Sequence, residues 1–265
     1  ERAQWQLAAG RCLGLSGRFG DAIDLLDKAR QRFPDVLELR TMLARTLLLQ
    51  AERDRGDLMP QVRWADAAEL AEQVLAIAPD DEEARLLAAQ AHYLLGHTEL
   101  AVQHAEEAAR RHPQRPGAHV LLGRIASDRF AALLQQLRYL AREGLQHADL
   151  VAEVDAARQR ARQHFTTATR LDPHRSHPHA ALADLAWLDG DRDAARQHAA
   201  AALAVDPTTP LDHDRLTEGL DWQARRDLYR SLVERYQASP RNDPRKTATM
   251  PFFAARAALD GLAFA

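Results

Sequence analysis

Small and apolar residues return along this chain in a fixed register. Five prolines, Pro34, Pro79, Pro113, Pro173 and Pro207, each close a run rich in alanine. Twelve residues before them stand Ala22, Ala67, Ala101, Ala161 and Ala195, and five before them Ala29, Val74, Ala108, Ala168 and Ala202. Positions seven apart share one helix face, and small residues there let a second backbone approach closely. The proline ends the helix because it lacks an N–H and clashes with the preceding turn. Upstream of each such helix runs a second stripe at helical spacing, as in Leu39, Met42, Leu43, Thr46 and Leu47. Gly17, Gly96 and Gly190 fall between the two stripes, where a tight turn needs positive φ. The pattern predicts helical hairpins and no sheet. Start signals accompany it: Asp35 with Glu38 and Asp80 with Glu83 have capping-box spacing, Thr98 precedes a helix, and Pro210 follows Thr209 as N1 follows an N-cap.

The prolines are 45, 34, 60 and 34 residues apart. With its small residues in step, this pattern resembles the tetratricopeptide repeat (TPR) family, whose 34-residue unit is a helix–turn–helix. The family has Gly or Ala at its eighth position, where this chain has Gly10, Ala44, Ala89, Gly123 and Ala183. The twenty-fourth position, aromatic in the family, is Phe165 once and Leu26, Ala71, Ala105 and Ala199 elsewhere. The motif tryptophan is missing, with Trp5 one residue from its place in the first unit. The resemblance implies an all-α, right-handed α-solenoid of about five hairpins, two of them lengthened, plus extra C-terminal helices. The units run over about 3–36, 37–81, 82–115, 116–175 and 176–209, making one region of 1–209. Residues 210–265 then form C-terminal helices near 211–219, 221–238 and from 251, as a degenerate repeat or the start of a further region.

Two units exceed the period. Eleven extra residues enter the second unit around 51–60, and 26 enter the fourth between about 127 and 156. Phe130, Leu133, Leu134, Leu137 and Leu140 form one stripe there, and Leu150, Val151, Val154 and Ala157 another. The expectation is a long antiparallel hairpin with its tip near 142–148. Phe130, Leu133, Leu137 and Leu140 face Leu150, Val151 and Val154, while Leu134, Tyr139 and Leu145 stay near the surface. Such a hairpin serves self-association or a second partner, as open solenoid ends also do, or folds down onto neighbouring repeats.

Composition narrows the chemistry. Basic residues number 35 against 38 acidic ones, a net charge of −3, so no cationic surplus marks a nucleic-acid binder. The two lysines, Lys28 and Lys246, stand in no P-loop, and no Ser, His or Cys motif of a known catalytic kind occurs. No stretch approaches 18 uncharged apolar residues, so no membrane span is expected. The single cysteine, Cys12, falls at a helix-packing position and reads as a buried inert thiol, in keeping with a reducing, cytoplasmic compartment. Residue 1 is Glu and the last residues run in an apolar helical pattern, which reads as a segment of a longer protein.

Two constellations remain. His174, His177 and His179 lie within six residues and offer three imidazoles, yet an inter-repeat turn accounts for them as solvated side chains. No metal and no cofactor are expected. The second constellation follows from the resemblance, which places the first helices of the units along a concave surface. The stripes facing that groove include Leu7, Thr41, Leu86 and Val120; Arg11, Arg45, Gln90, Arg124 and Asp184; and Tyr93 and Trp187. The arginines suit a carboxylate on an acidic protein or peptide partner, or else are solvated or paired with Glu38 and Glu83. The function expected is a non-catalytic protein-interaction scaffold. The alternative is the helical part of a larger enzyme whose catalytic domain lies elsewhere.

Overall fold

The structure is a computed structural model and describes residues 2–53, 59–143, 147–212 and 216–238, together with Ala255. Among them are eleven helices and no strand. They alternate as hairpins: α1 Arg2–Leu15 with α2 Phe19–Arg32, α3 Leu37–Arg53 with α4 Pro60–Ile77, α5 Glu82–Leu94 with α6 Thr98–Arg111, α7 Pro116–Arg142 with α8 Ala148–Leu171, and α9 Ser176–Leu188 with α10 Arg192–Val205. The eleventh, α11, is Trp222–Gln237. The chain divides into two compact units, Glu1–Ile125 and Ala126–Ala265. Part of the sequence-predicted tip, Leu145 included, and the helix from 251, apart from Ala255, lie outside the described residues.

The alanine register is a register of burial. Ala22, Ala67, Ala101, Ala161 and Ala195 are all buried, as are Ala29, Val74, Ala108, Ala168 and Ala202. The eighth-position residues Gly10, Ala44, Ala89, Gly123 and Ala183 are buried too. Small side chains at most of these positions let the paired helices approach closely. At Gly10 a Cβ would stand 2.7 Å from Leu26 Cδ2, a fully buried side chain of α2.

Each proline follows one repeated stop. The C-cap N–H of Phe33, Ala78, His112, Asp172 and Asp206 donates to the carbonyl of Ala29, Val74, Ala108, Ala168 and Ala202, at 2.8–2.9 Å. The turns inside hairpins have their own signature. Gly17, Gly96 and Gly190 carry φ of 78°, 82° and 78°. Behind each, a 6→1 bond closes the helix end, as in His97 N–H to His92 O at 2.8 Å. The start signals are placed differently from the sequence expectation. Asp81, not Asp80, caps α5, accepting from Ala84 N–H at 2.7 Å. Asp80 instead pairs with Arg111 across the hairpin. α6 begins at Thr98 itself after His97, which makes no side-chain cap. Thr209 starts no helix; its hydroxyl donates back to Asp206 O at 2.7 Å.

In the first unit, one core runs from α2 to α5 through Leu26, Leu39, Leu43, Leu47, Val74 and Leu87, and a second joins α5 and α6 to Leu121, Leu122 and Ile125. In the second unit, Phe130, Val154, Ala157, Ala161 and Phe165 gather with Leu182 and Leu185 of α9. The helix stripe of the fourth hairpin is therefore real, with two revisions. Leu134 packs into this core with Leu133 and Leu137, because it follows Phe130 by one helical repeat. Val151 is 45% exposed, whereas Leu150, four residues before Val154, is half-buried. Tyr139 is exposed, as expected. Downstream, Leu216 and the α11 residues Tyr229 and Leu232 share a core with Leu203 of α10.

Candidate functional site

The first helices of the second and third hairpins border a cavity of about 460 Å³. Its floor is Leu48, Leu49, Leu86 and Leu87, and its rim is Arg45, Glu82, Glu83 and Gln90. Three sequence-predicted groove residues, Arg45, Leu86 and Gln90, thus meet at one place. α3 and α5 present these residues because their opposite faces are occupied by the alanine seam; what is left at i, i+4 and i+8 faces outward. Leu49 is 42% exposed, so the floor reaches solvent. Arg45 forms an ion pair with Glu83, and Gln90 Nε2 donates to Glu52 Oε1 at 3.0 Å. Leu86 also lies against Gly117 of α7, where a Cβ would come within 2.8 Å of Leu86 Cδ1.

The remaining predicted residues are more scattered. Arg124 lies over the Tyr93 ring at 5.2 Å from its centroid, a cation–π contact within the first unit. Val120 is half-buried near the start of α7, and Arg11 is exposed on α1. Leu7 packs against the core of its own unit. Thr41 is a correction: it is 6% exposed, and its hydroxyl donates to Leu37 O at 3.3 Å, so it belongs to the core and offers nothing to a groove. Its neighbour Leu43 is buried as well, which shows α3 covered over a wider arc than the stripe predicts. In the second unit, Asp184 and Trp187 line a small cleft with Arg196 and Leu216, and the Arg192 guanidinium stacks on Trp187 at 3.7 Å.

Cys12 is also a correction. It is exposed, because it lies two residues, about 200° of helix, from the buried face marked by Gly10. The three clustered histidines separate. The backbone N–H of His174 donates to Asp172 Oδ1, His177 sits edge-on to Phe165 at 5.9 Å, and His179 Nε2 lies 3.3 Å from Pro173 O. His179 is not solvated in the way the turn suggests. Its Nδ1 is buried, and burial lowers its pKa. Among the described residues the set able to hold a metal lies elsewhere, at Glu72, His92 and His104. These come from three helices, so no spacing along the chain announces them.

Residues 61–125 match the family model described as Tetratricopeptide repeat. The chain is therefore an all-α helical-repeat fold with the tetratricopeptide repeat matched over 61–125, a repeat that generally mediates protein–protein interaction and is generally non-enzymatic. No curated protein matches the chain. Among solved structures it is similar to MamA of Desulfovibrio magneticus, at 14% identity and a TM-score of 0.50 over 79% of this chain and 97% of that one. It is similar also to a thermophilic TPR protein of Thermus thermophilus, at 21% identity and a TM-score of 0.47 over 82% and 99%. Identities this low speak of fold alone. Among the described residues no helix is long and apolar enough to cross a membrane.

Proposed function

We propose that the chain is a non-catalytic interaction module that seats a partner segment on the cavity around Arg45, Leu86 and Gln90. The observation carrying this reading is the make-up of that cavity, an apolar floor open to solvent under a polar rim. Apolar side chains of a partner covering the floor contribute roughly 25 cal/mol per Å² removed from water. The rim sets orientation. The Arg45–Glu83 pair is about half exposed on both sides, at 45% and 42%, so it holds Arg45 in place with at most about 1 kcal/mol. A partner carboxylate replaces Glu83 there at small cost and gains a planar two-donor fork.

The rim also limits the acidity of the partner. Glu82 pairs with Arg115 at 3.4 Å and Glu83 with Arg45 itself, so the rim holds no surplus of positive charge for a segment acidic along its length. The best-fitting partner is an apolar segment with one carboxylate placed for Arg45. Peptides selected from a random display library against the whole chain test this. Leu49→Asp should weaken the selected peptides at least tenfold, and Arg45→Ala should weaken them several-fold and flatten their salt dependence. Affinities unchanged in both variants would refute the assignment.

A further inference from the structure

Glu72 of α4, His92 of α5 and His104 of α6 converge at the junction of the second and third hairpins. His104 Nε2 lies 2.9 Å from Glu72 Oε1, and His92 Nε2 lies 3.4 Å from the same oxygen. All three donor atoms fall within 4.8 Å of one another. Zinc–ligand bonds of 2.0–2.1 Å in a tetrahedron put neighbouring donors roughly 3.3 Å apart. Two of the three edges are thus already close to coordination length. We propose that these residues bind a divalent transition ion, zinc foremost, which joins α4, α5 and α6. The inference is independent of the groove and of any partner.

The chemistry of each donor suits the ion. Two imidazoles and one carboxylate are a borderline nitrogen–oxygen set, matched to zinc, nickel or copper rather than to calcium or magnesium. The two rings are nearly parallel, 9° apart with centroids at 5.7 Å, and both Nε2 atoms reach the same Glu72 oxygen. His92 has a partner on its other nitrogen: its Nδ1 is 3.4 Å from Nδ1 of His97. A proton on His92 Nδ1, donated to His97, leaves Nε2 with a free lone pair for the metal. The His104 side chain is only 17% exposed, so its ring is held in place beside Glu72. The metal takes the place of the hydrogen between His104 Nε2 and Glu72, and the neutral ring keeps its one proton on Nδ1. His92 also stands in the last turn of α5, where the helix macrodipole favours positive charge. Arg85 is the opposing charge nearby; its guanidinium is tied to the carbonyl of Pro79. Glu72 remains partly exposed, so a fourth position is open to water.

Calorimetric titration of the whole chain, freed of metal by chelator, with zinc chloride tests the proposal. One equivalent should bind at micromolar or lower concentration, and the melting temperature should rise with it. Glu72→Gln, His92→Gln and His104→Gln should each weaken that site by about 100-fold or more, since loss of an outer-shell partner alone costs about 10–100-fold. His97→Ala should cost about tenfold, and His174→Gln with His177→Gln should change nothing. Should His104→Gln fail to fold, the exposed Glu72→Gln carries the comparison. Absence of binding at 100-fold the expected micromolar concentration, or binding that survives Glu72→Gln and His92→Gln unweakened, overturns the assignment.

Discussion

Gly10 and Gly14 lie four residues apart in one helix, and replacing each by alanine isolates what the seam between α1 and α2 tolerates. A Cβ on Gly10 meets Leu26 Cδ2, Cγ and Cδ1 at 2.7, 2.8 and 3.1 Å. Carbon atoms are comfortable at about 3.5–4.0 Å, so the Leu26 head must retreat by roughly 1 Å. Cγ is the branch point, not a free end, and the side chain is fully buried, so the shift is forced on α2. Overpacking of this kind costs about 1–3 kcal/mol. Alanine also favours a helix over glycine by about 0.5–1 kcal/mol, which offsets part of that cost. At Gly14 nothing lies within 4 Å of the added atom, so only the gain applies. The propensity term is common to both variants. Gly10→Ala should therefore be less stable than Gly14→Ala by about 1–3 kcal/mol. Urea unfolding followed by circular dichroism gives the global difference. Amide exchange across α1 and α2 reports opening confined to the first hairpin, which a repeat array permits. Leu26→Ala should reverse the penalty, making the double variant less damaged than the two single costs added together. Equal stability of Gly10→Ala and Gly14→Ala, with no protection lost in α1, would refute the packing argument.

Two further outcomes follow from local geometry. Asp81→Ala removes the N-cap of α5 and should cost about 1 kcal/mol in a urea melt. Asp80→Ala, which breaks only a surface pair with Arg111, should cost less than Asp81→Ala. The second outcome is a pH dependence from His179 and His198, whose rings lie 6.3 Å apart. Burial lowers both pKa values from 6.5; Arg162 reinforces this at His198 and Asp191 opposes it, while the Pro173 carbonyl opposes it at His179. The unfolded chain thus binds protons first, so their stabilisation is whole above 6.5 and is lost as pH falls from there through the lowered folded values. His179→Gln with His198→Gln should flatten the slope of stability below that pH. An unchanged slope would assign the dependence to other groups.

The hairpins were legible because their constraint is repeated. Ala22, Ala67, Ala101, Ala161 and Ala195 are small for the same steric reason in five places, and a reason repeated five times stands out from one sequence. The turn glycines were legible for a similar cause, since positive φ excludes other side chains cheaply. The site was less legible. Arg45, Leu86 and Gln90 share a place that the family resemblance implies, but the width of the buried arc on α3, which takes Thr41, depends on how neighbours close around it. Caps depend on one residue of phase, and Asp80 and Asp81 offer the same side chain at adjacent positions. Glu72, His92 and His104 were missed altogether. Twenty residues separate the first two and twelve the last two, and only the stacking of three helices brings them together.

Both departures from the repeat length enter between the helices of a hairpin, never between hairpins. α7 and α8 have 27 and 24 residues where α5 and α6 have 13 and 14, about four and three helical turns more. α3 and α4, with 17 and 18, gain about one turn each. Growth in nearly whole turns leaves each seam on its original face, so the stop at Ala29, Val74, Ala108, Ala168 and Ala202 is undisturbed. The hairpin thus behaves as a lever arm of adjustable reach mounted on a fixed pivot. Heptads added at the intra-hairpin turn of an unextended unit, such as Gly96, should lengthen the arm while the pivot keeps its stability, which makes that turn the natural graft point for foreign helices.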